Sequence, residues 1–212
     1  MKRTRTKMKV KPAMLIVTGG EFEAMYFSQV RKDCRYSNLT VRCAQGADSL
    51  YSFISKASAA RLKGKYDSVW AFFSPADFPV TAQEIKEAQE YAQKKKVNLG
   101  WAFPSLSLWF YLHFKSPQMA IDDPEPFAEA LPKQIKSYEE TTDFLLGEGQ
   151  NLHLELFTNF SKAVSNSMVY NRTYEAKFGI KATNLPEIYA EIHQICGKAD
   201  LTHNQKMLTK RT

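Results

Sequence analysis

The run AMLIV, residues 13–17, stops at Thr18-Gly19-Gly20, a pattern that predicts a buried strand closed by a tight turn. Phe22, Met25, Tyr26 and Val30 then recur at helical spacing and predict a helix over about 21–35. LTVRC, 39–43, alternates as a second strand, and Leu50, Phe53, Ile54 and Ala57 mark a second helix beyond Gly46. SVWAFF, 68–73, is apolar almost throughout, as suits a strand covered on both faces. Ile85, Ala88 and Ala92 place a helix over about 81–95, closed by Lys94, Lys95 and Lys96, where the helix dipole favours positive charge. VNLGWAF, 97–103, reads as a fourth strand, and SLSLWFYLHF, 105–114, as a buried helix. This alternation predicts an α/β fold whose mainly parallel sheet is flanked by helices.

From about residue 115 the pattern changes. KSPQMAIDDPEPFAEALP is rich in proline and acid and reads as a connection. Helical segments follow near 133–146, 152–170 and 184–196, and no strong strand is visible. The expected organisation is a basic flexible arm at 1–12, an α/β core at 13–115, a helical C-terminal part at 116–200 packed on the core, and a tail at 201–212.

Composition sharpens this outline. With 44% apolar residues, 14 Phe and 10 Tyr, a large core is within reach and disorder is confined to the ends. The formal charge of +7 permits contact with nucleic acid or another polyanion. MKRTRTKMKVK at the start has six Lys or Arg and no acid. Arg3, Arg5, Lys7 and Lys9, with Lys94, Lys95 and Lys96, are therefore candidate phosphate contacts, a solubilising arm being the plainer reading. PAMLIV is shorter than the about 7 to 15 apolar residues of a secretory signal. No window reaches the roughly 18 of a membrane span. Cys34, Cys43 and Cys196 are scattered and fit reduced thiols. A cytoplasmic protein without a membrane partner is expected.

Candidate chemistry is sparse. Gly19-Gly20 could cradle a phosphate at a helix start, but neither G-x-G-x-x-G nor G-K-[ST] follows. His113, among Trp109, Phe110, Tyr111 and Phe114, reads as a packed core residue, and His153 sits in a leucine-rich packing stretch. Carboxylates near strand ends are Glu21 and Glu23 after the first strand and Asp77 after the third; AFPSLSLW after the fourth has none. Together the three could hold Mg²⁺ or Mn²⁺, or serve only as helix-start and turn residues.

Three segments carry a resemblance: LIVTGGEFEAMYF (15–27), YDSVWAFFSPADFP (66–79) and LGWAFPSLSLWFYLHF (99–114). In order and spacing they resemble the RloB family, TOPRIM-like proteins of bacterial and archaeal defence loci. KQIKSYEETTDFL, SKAVSNSMVYN and KATNLPEIYAEI look like the family's helical C-terminal part. The resemblance implies a TOPRIM-like core, in which acids after the first and a later strand bind magnesium for nucleic-acid cleavage. The family's E-G-E matches Gly19, Gly20 and Glu21, and the stretch to Tyr26 is about one residue short. Its D-R-D-D-F matches Ser74, Pro75, Ala76, Asp77 and Phe78. Its S-N-P-C-F-E-L-W matches 102–109, so that Ser107 replaces the glutamate. With Gly19, Ser74, Ala76 and Ser107 at acidic positions, the expectation is a catalytically inactive member without metal or other cofactor. It would serve as a binding or scaffolding subunit of an anti-phage or CRISPR-associated system, beside a defence ATPase or effector complex and in contact with nucleic acid. The rival is a divergent metal-dependent nuclease or phosphoryl transferase using Glu21, Glu23 and Asp77.

Overall fold

A computed structural model describes residues 11–204 of the protein. Four strands, β1 (Met14–Thr18), β2 (Leu39–Cys43), β3 (Ser68–Phe73) and β4 (Asn98–Trp101), form one parallel sheet in the order β2-β1-β3-β4. Every residue of the two central strands is buried, which is why their sequences are apolar runs rather than alternations. The crossovers are α1 (Glu21–Asp33), α2 (Leu50–Gly64) and α3 (Ala82–Lys94). Right-handed crossovers put α1 on one face, and α2 and α3 together on the other. The contacts agree: α2 touches α3 and β3, whereas α1 meets helices of the C-terminal half. Thr81 starts α3 with a capping box, its hydroxyl accepting from the Glu84 amide at 3.3 Å while the Glu84 carboxylate accepts from the Thr81 amide at 2.7 Å.

Six further helices follow: α4 (Ser107–Leu112), α5 (Glu125–Ala130), α6 (Thr142–Leu146), α7 (Leu152–Phe157), α8 (Phe160–Phe178) and α9 (Leu185–Cys196). They complete the sheet as well as cover it. The Asn184 side chain accepts from the Trp101 amide and donates to the Leu99 carbonyl, both at 2.8 Å, so the free edge of β4 is capped. α9 lies close against β4 at Gly100, where a Cβ would sit 2.7 Å from Ile188 Cδ1. Trp109 is fully buried; its indole donates to the Tyr26 hydroxyl at 3.1 Å, and its ring stacks on Tyr189. The apolar stretch around it is thus explained by packing.

Several boundaries differ from the periodicity. The helix expected over 133–146 is a 3₁₀ turn at Leu131–Lys133, an irregular stretch and the short α6. Ser137 takes a left-handed conformation (φ 55°), and the Thr141 hydroxyl then caps a new start by accepting from the Phe144 amide. The helix expected over 152–170 is two, α7 and α8, interrupted at residues 158–159, and α8 runs on to Gly179 (φ 77°). α5 lies in the stretch read as a connection. β4 and α4 are shorter than expected at both ends.

His113 is a core residue, its ring nitrogen 2.9 Å from the Trp109 carbonyl and its pKa lowered to about 4 by burial. His153 does more than pack: its Nδ1 lies 3.0 Å from Asp33 Oδ2, and both side chains are buried.

Candidate functional site

β1 and β3 are neighbours, so the loops after them lie side by side at the carboxyl edge of the sheet, the usual place for chemistry in an open α/β sheet. The Gly19 amide still donates to the Phe72 carbonyl at 2.9 Å. After β3, residues 74–77 form a β-turn in which the Asp77 amide donates to the Ser74 carbonyl at 3.0 Å, with Pro75 where proline favours such a turn. The same turn returns Asp77 Oδ2 to the Ser74 amide, also at 3.0 Å. From the other side, the first turn of α1 carries Glu23 inward, only 4% exposed.

The two acids meet at the glycine turn. A Cβ on Gly19 would lie 2.6 Å from Asp77 Oδ2, and one on Gly20 would collide with Glu23 Oε2 and lie 2.7 Å from Asp77 Oδ1. Gly19 and Gly20 thus leave the space that the two carboxyl groups fill, and a side chain at either would push those groups aside. Ser74 lies between the acids: its hydroxyl is 2.8 Å from Glu23 Oε1 and 3.4 Å from Asp77 Oδ2. One hydroxyl hydrogen serves one carboxylate at a time. Burial, and after it the charge of Asp77, raises the Glu23 pKa to about 7; burial also raises that of Asp77. Near neutrality the pair is short of protons and of positive charge alike.

A second cluster adjoins it. The Glu140 carboxylate accepts from the Ser105 hydroxyl at 2.8 Å and from the Ser107 hydroxyl, which also lies 2.7 Å from the Tyr138 hydroxyl. Glu140 adds to the upward push on Glu23, so its charge is felt across the site. A carboxylate thus reaches Ser107 from a loop 33 residues further along the chain. Nothing in the local sequence around Glu140 marks it.

The expected residues divide accordingly. Gly19, Ser74, Asp77 and Glu23 come together, and Ser107 is held by Glu140. Glu21 is exposed at the start of α1, and Ala76 is exposed on the turn. Lys94, Lys95 and Lys96 are exposed at the opposite, amino edge of the sheet, where α3 ends and β4 begins. Arg3, Arg5, Lys7 and Lys9 lie outside the described residues. Mg²⁺ or Mn²⁺ needs several ionised oxygen ligands in octahedral array. Among the described residues no three His, Cys, Asp or Glu side chains group so as to hold a metal ion. Glu23 and Asp77 alone, with an oxygen of each engaged by Ser74 and Glu23 ready to keep its proton, do not fit such an ion.

Compared with known families, residues 14–195 match the family described as RloB-like protein. No curated protein and no solved structure matches the chain. Among the described residues no helix is long and apolar enough to cross a membrane.

Proposed function

The chain belongs to the RloB-like protein family, and from that premise we propose that it is a member without cleavage chemistry that works by binding. The observation that carries this reading is the inward-turned, Ser74-bridged pair of Glu23 and Asp77, with Glu23 held to about 7. A nuclease of the family's kind needs ionised carboxylates free to take a divalent ion and activate water. Here a hydroxyl stands at one acidic position and an exposed alanine at another, and the remaining acids are occupied with one another. The remnant is a polar plug that closes the carboxyl edge of the sheet.

Stripped of chemistry, such a protein acts through its surfaces. By analogy with the family it is a scaffolding or binding subunit of a prokaryotic anti-phage or CRISPR-associated system, partnered by an ATPase or effector complex. Lys94, Lys95 and Lys96, with the basic arm, supply its contacts to a nucleic-acid backbone.

The test is calorimetric titration of Mg²⁺ and Mn²⁺ into wild type and Asp77→Ala, with cleavage assays on single- and double-stranded DNA and RNA. The expected result is no binding and no cleavage by either protein. Metal-dependent cleavage by wild type that Asp77→Ala abolishes would overturn the reading in favour of a divergent nuclease.

A further inference from the structure

α1, α2 and α3 all run from the carboxyl edge of the sheet back to its amino edge, where β2, β3 and β4 begin. Their ends are basic. Arg31, Lys32 and Arg35 come from α1, Lys63 and Lys65 from α2, and Lys94 to Lys96 from α3, all exposed. Lys11, which leads into β1, is exposed at the same edge. A cation at one helix C-terminus is favourable by itself and says little. Three such ends, from both faces of the sheet, bring eight exposed cations to this edge, where Asp67, Glu191 and Asp200 are the acids among them. The carboxyl edge gathers Glu21, Glu23, Asp77 and Glu140, with the exposed cations Arg42 and Lys56 beside them.

The end of α1 adds shape to charge. Ser28, Arg31, Lys32, Arg35, Tyr36 and Ser37 line a concavity of about 350 Å³. Arg35 takes a left-handed conformation (φ 54°) that turns the chain back, and the Tyr36 amide donates to the Arg31 carbonyl at 3.0 Å. The neighbouring acids do not neutralise the pocket. Asp33 is buried against His153, and Asp200 pairs with Arg35 at 3.4 Å, both side chains about half exposed, while its other oxygen accepts from the Thr202 amide and hydroxyl. Arg31 and Lys32 have no ion-pair partner among the described residues. Across the sheet, at the end of α2, the Arg61 Nε–H is buried without an acceptor.

We propose that the amino edge of the sheet is a phosphodiester-binding surface, and that the pocket at the end of α1 takes a backbone phosphate of a bound nucleic acid. This extends, and rests on, the reading of Lys94 to Lys96 as backbone contacts; it does not depend on the acid site being silent. Guanidinium groups match phosphate oxygens in a bidentate fork. The cations are arrayed around the end of a layered slab rather than over an apolar helix face, which is what a membrane surface selects. Of the exposed large apolar side chains among the described residues, only Leu62 lies on these helix ends.

The test is fluorescence anisotropy of labelled 20-nucleotide single strands and duplexes, titrated with the full chain over a range of salt concentrations. Arg31→Ala with Lys32→Ala is expected to weaken binding about tenfold. It should also make the log K against log salt slope on duplex DNA shallower by about 0.9, as expected for one lost phosphate contact. Lys133→Ala with Lys162→Ala, exposed cations elsewhere, should leave both unchanged. Wild-type affinity in the Arg31/Lys32 variant, or equal loss in the Lys133/Lys162 variant, would overturn the assignment. So would tighter binding to phosphatidylserine vesicles than to any oligonucleotide, or equal competition by polyglutamate of matched charge. If wild type binds no oligonucleotide, this proposal fails whatever the metal titration and cleavage assays say about the acid site.

Discussion

Glu23 is where burial and a like charge push a carboxyl group in the same direction. Its folded pKa of about 7 lies above the ordinary 4.5, so the folded state holds a proton that the unfolded chain releases between those values. The stability this contributes is fully present below about 4.5 and is lost as pH rises through 7. Above 7 an ionised Glu23 faces Asp77 across the glycine turn. Glu23→Gln keeps an acceptor for the Ser74 hydroxyl and removes the charge. It should therefore be more stable than wild type at pH 8 by about 2–3 kcal/mol, with the difference gone near pH 4.5, read from urea unfolding at both values. Equal stability at pH 8 would mean that the carboxylate is solvated or neutralised there. From the resemblance, Gly19, Ser74, Ala76 and Ser107 are expected at acidic positions of the family. The sequence could not show that Glu23 and Glu140 turn toward them, since the reach of a carboxylate depends on neighbours far along the chain.

Among the elements, α1 does the most joining. Its apolar side packs on the sheet, while Gln29 and Asp33 on another side hold the C-terminal half. Gln29 donates to the Gly149 carbonyl at 2.9 Å and accepts from the His153 amide at 3.2 Å, and Asp33 pairs with the His153 ring. Asp33→Ala leaves a buried ring nitrogen without its hydrogen-bond partner and should cost about 1–3 kcal/mol in denaturant unfolding. A loss under 1 kcal/mol would mean that the ring finds water or turns outward. Elements with a long amphipathic period were legible, α3 above all, while its Thr81 capping box emerged from the structure. The interruptions at Ser137 and at 158–159 were not, because the apolar residues on either side keep helical spacing while tertiary contacts decide where the backbone turns.

At the scale of the molecule, the two halves share one continuous apolar cluster, from Met14 in β1 to Ile192 in α9. A chain ended at residue 115 would leave the face covered by α9 open and the Trp101 amide and Leu99 carbonyl without the Asn184 cap. It should fail to fold cooperatively, showing a broad thermal transition and dye binding to exposed apolar surface. A sharp two-state transition in that fragment would show that the first half is self-sufficient. Taken by itself, the sequence determined the strand–helix alternation, the parallel sheet and the family, since these follow from apolar period and local motifs. The resemblance added the expectation that Gly19, Ser74, Ala76 and Ser107 stand at acidic positions of the family. Only the tertiary structure decided that Glu140 joins Glu23 and Asp77 at the carboxyl edge while Glu21 stays outside, and that three basic helix ends gather at the other. Charge acts through space, and which charges become neighbours is set by how the strands order and the helices cross.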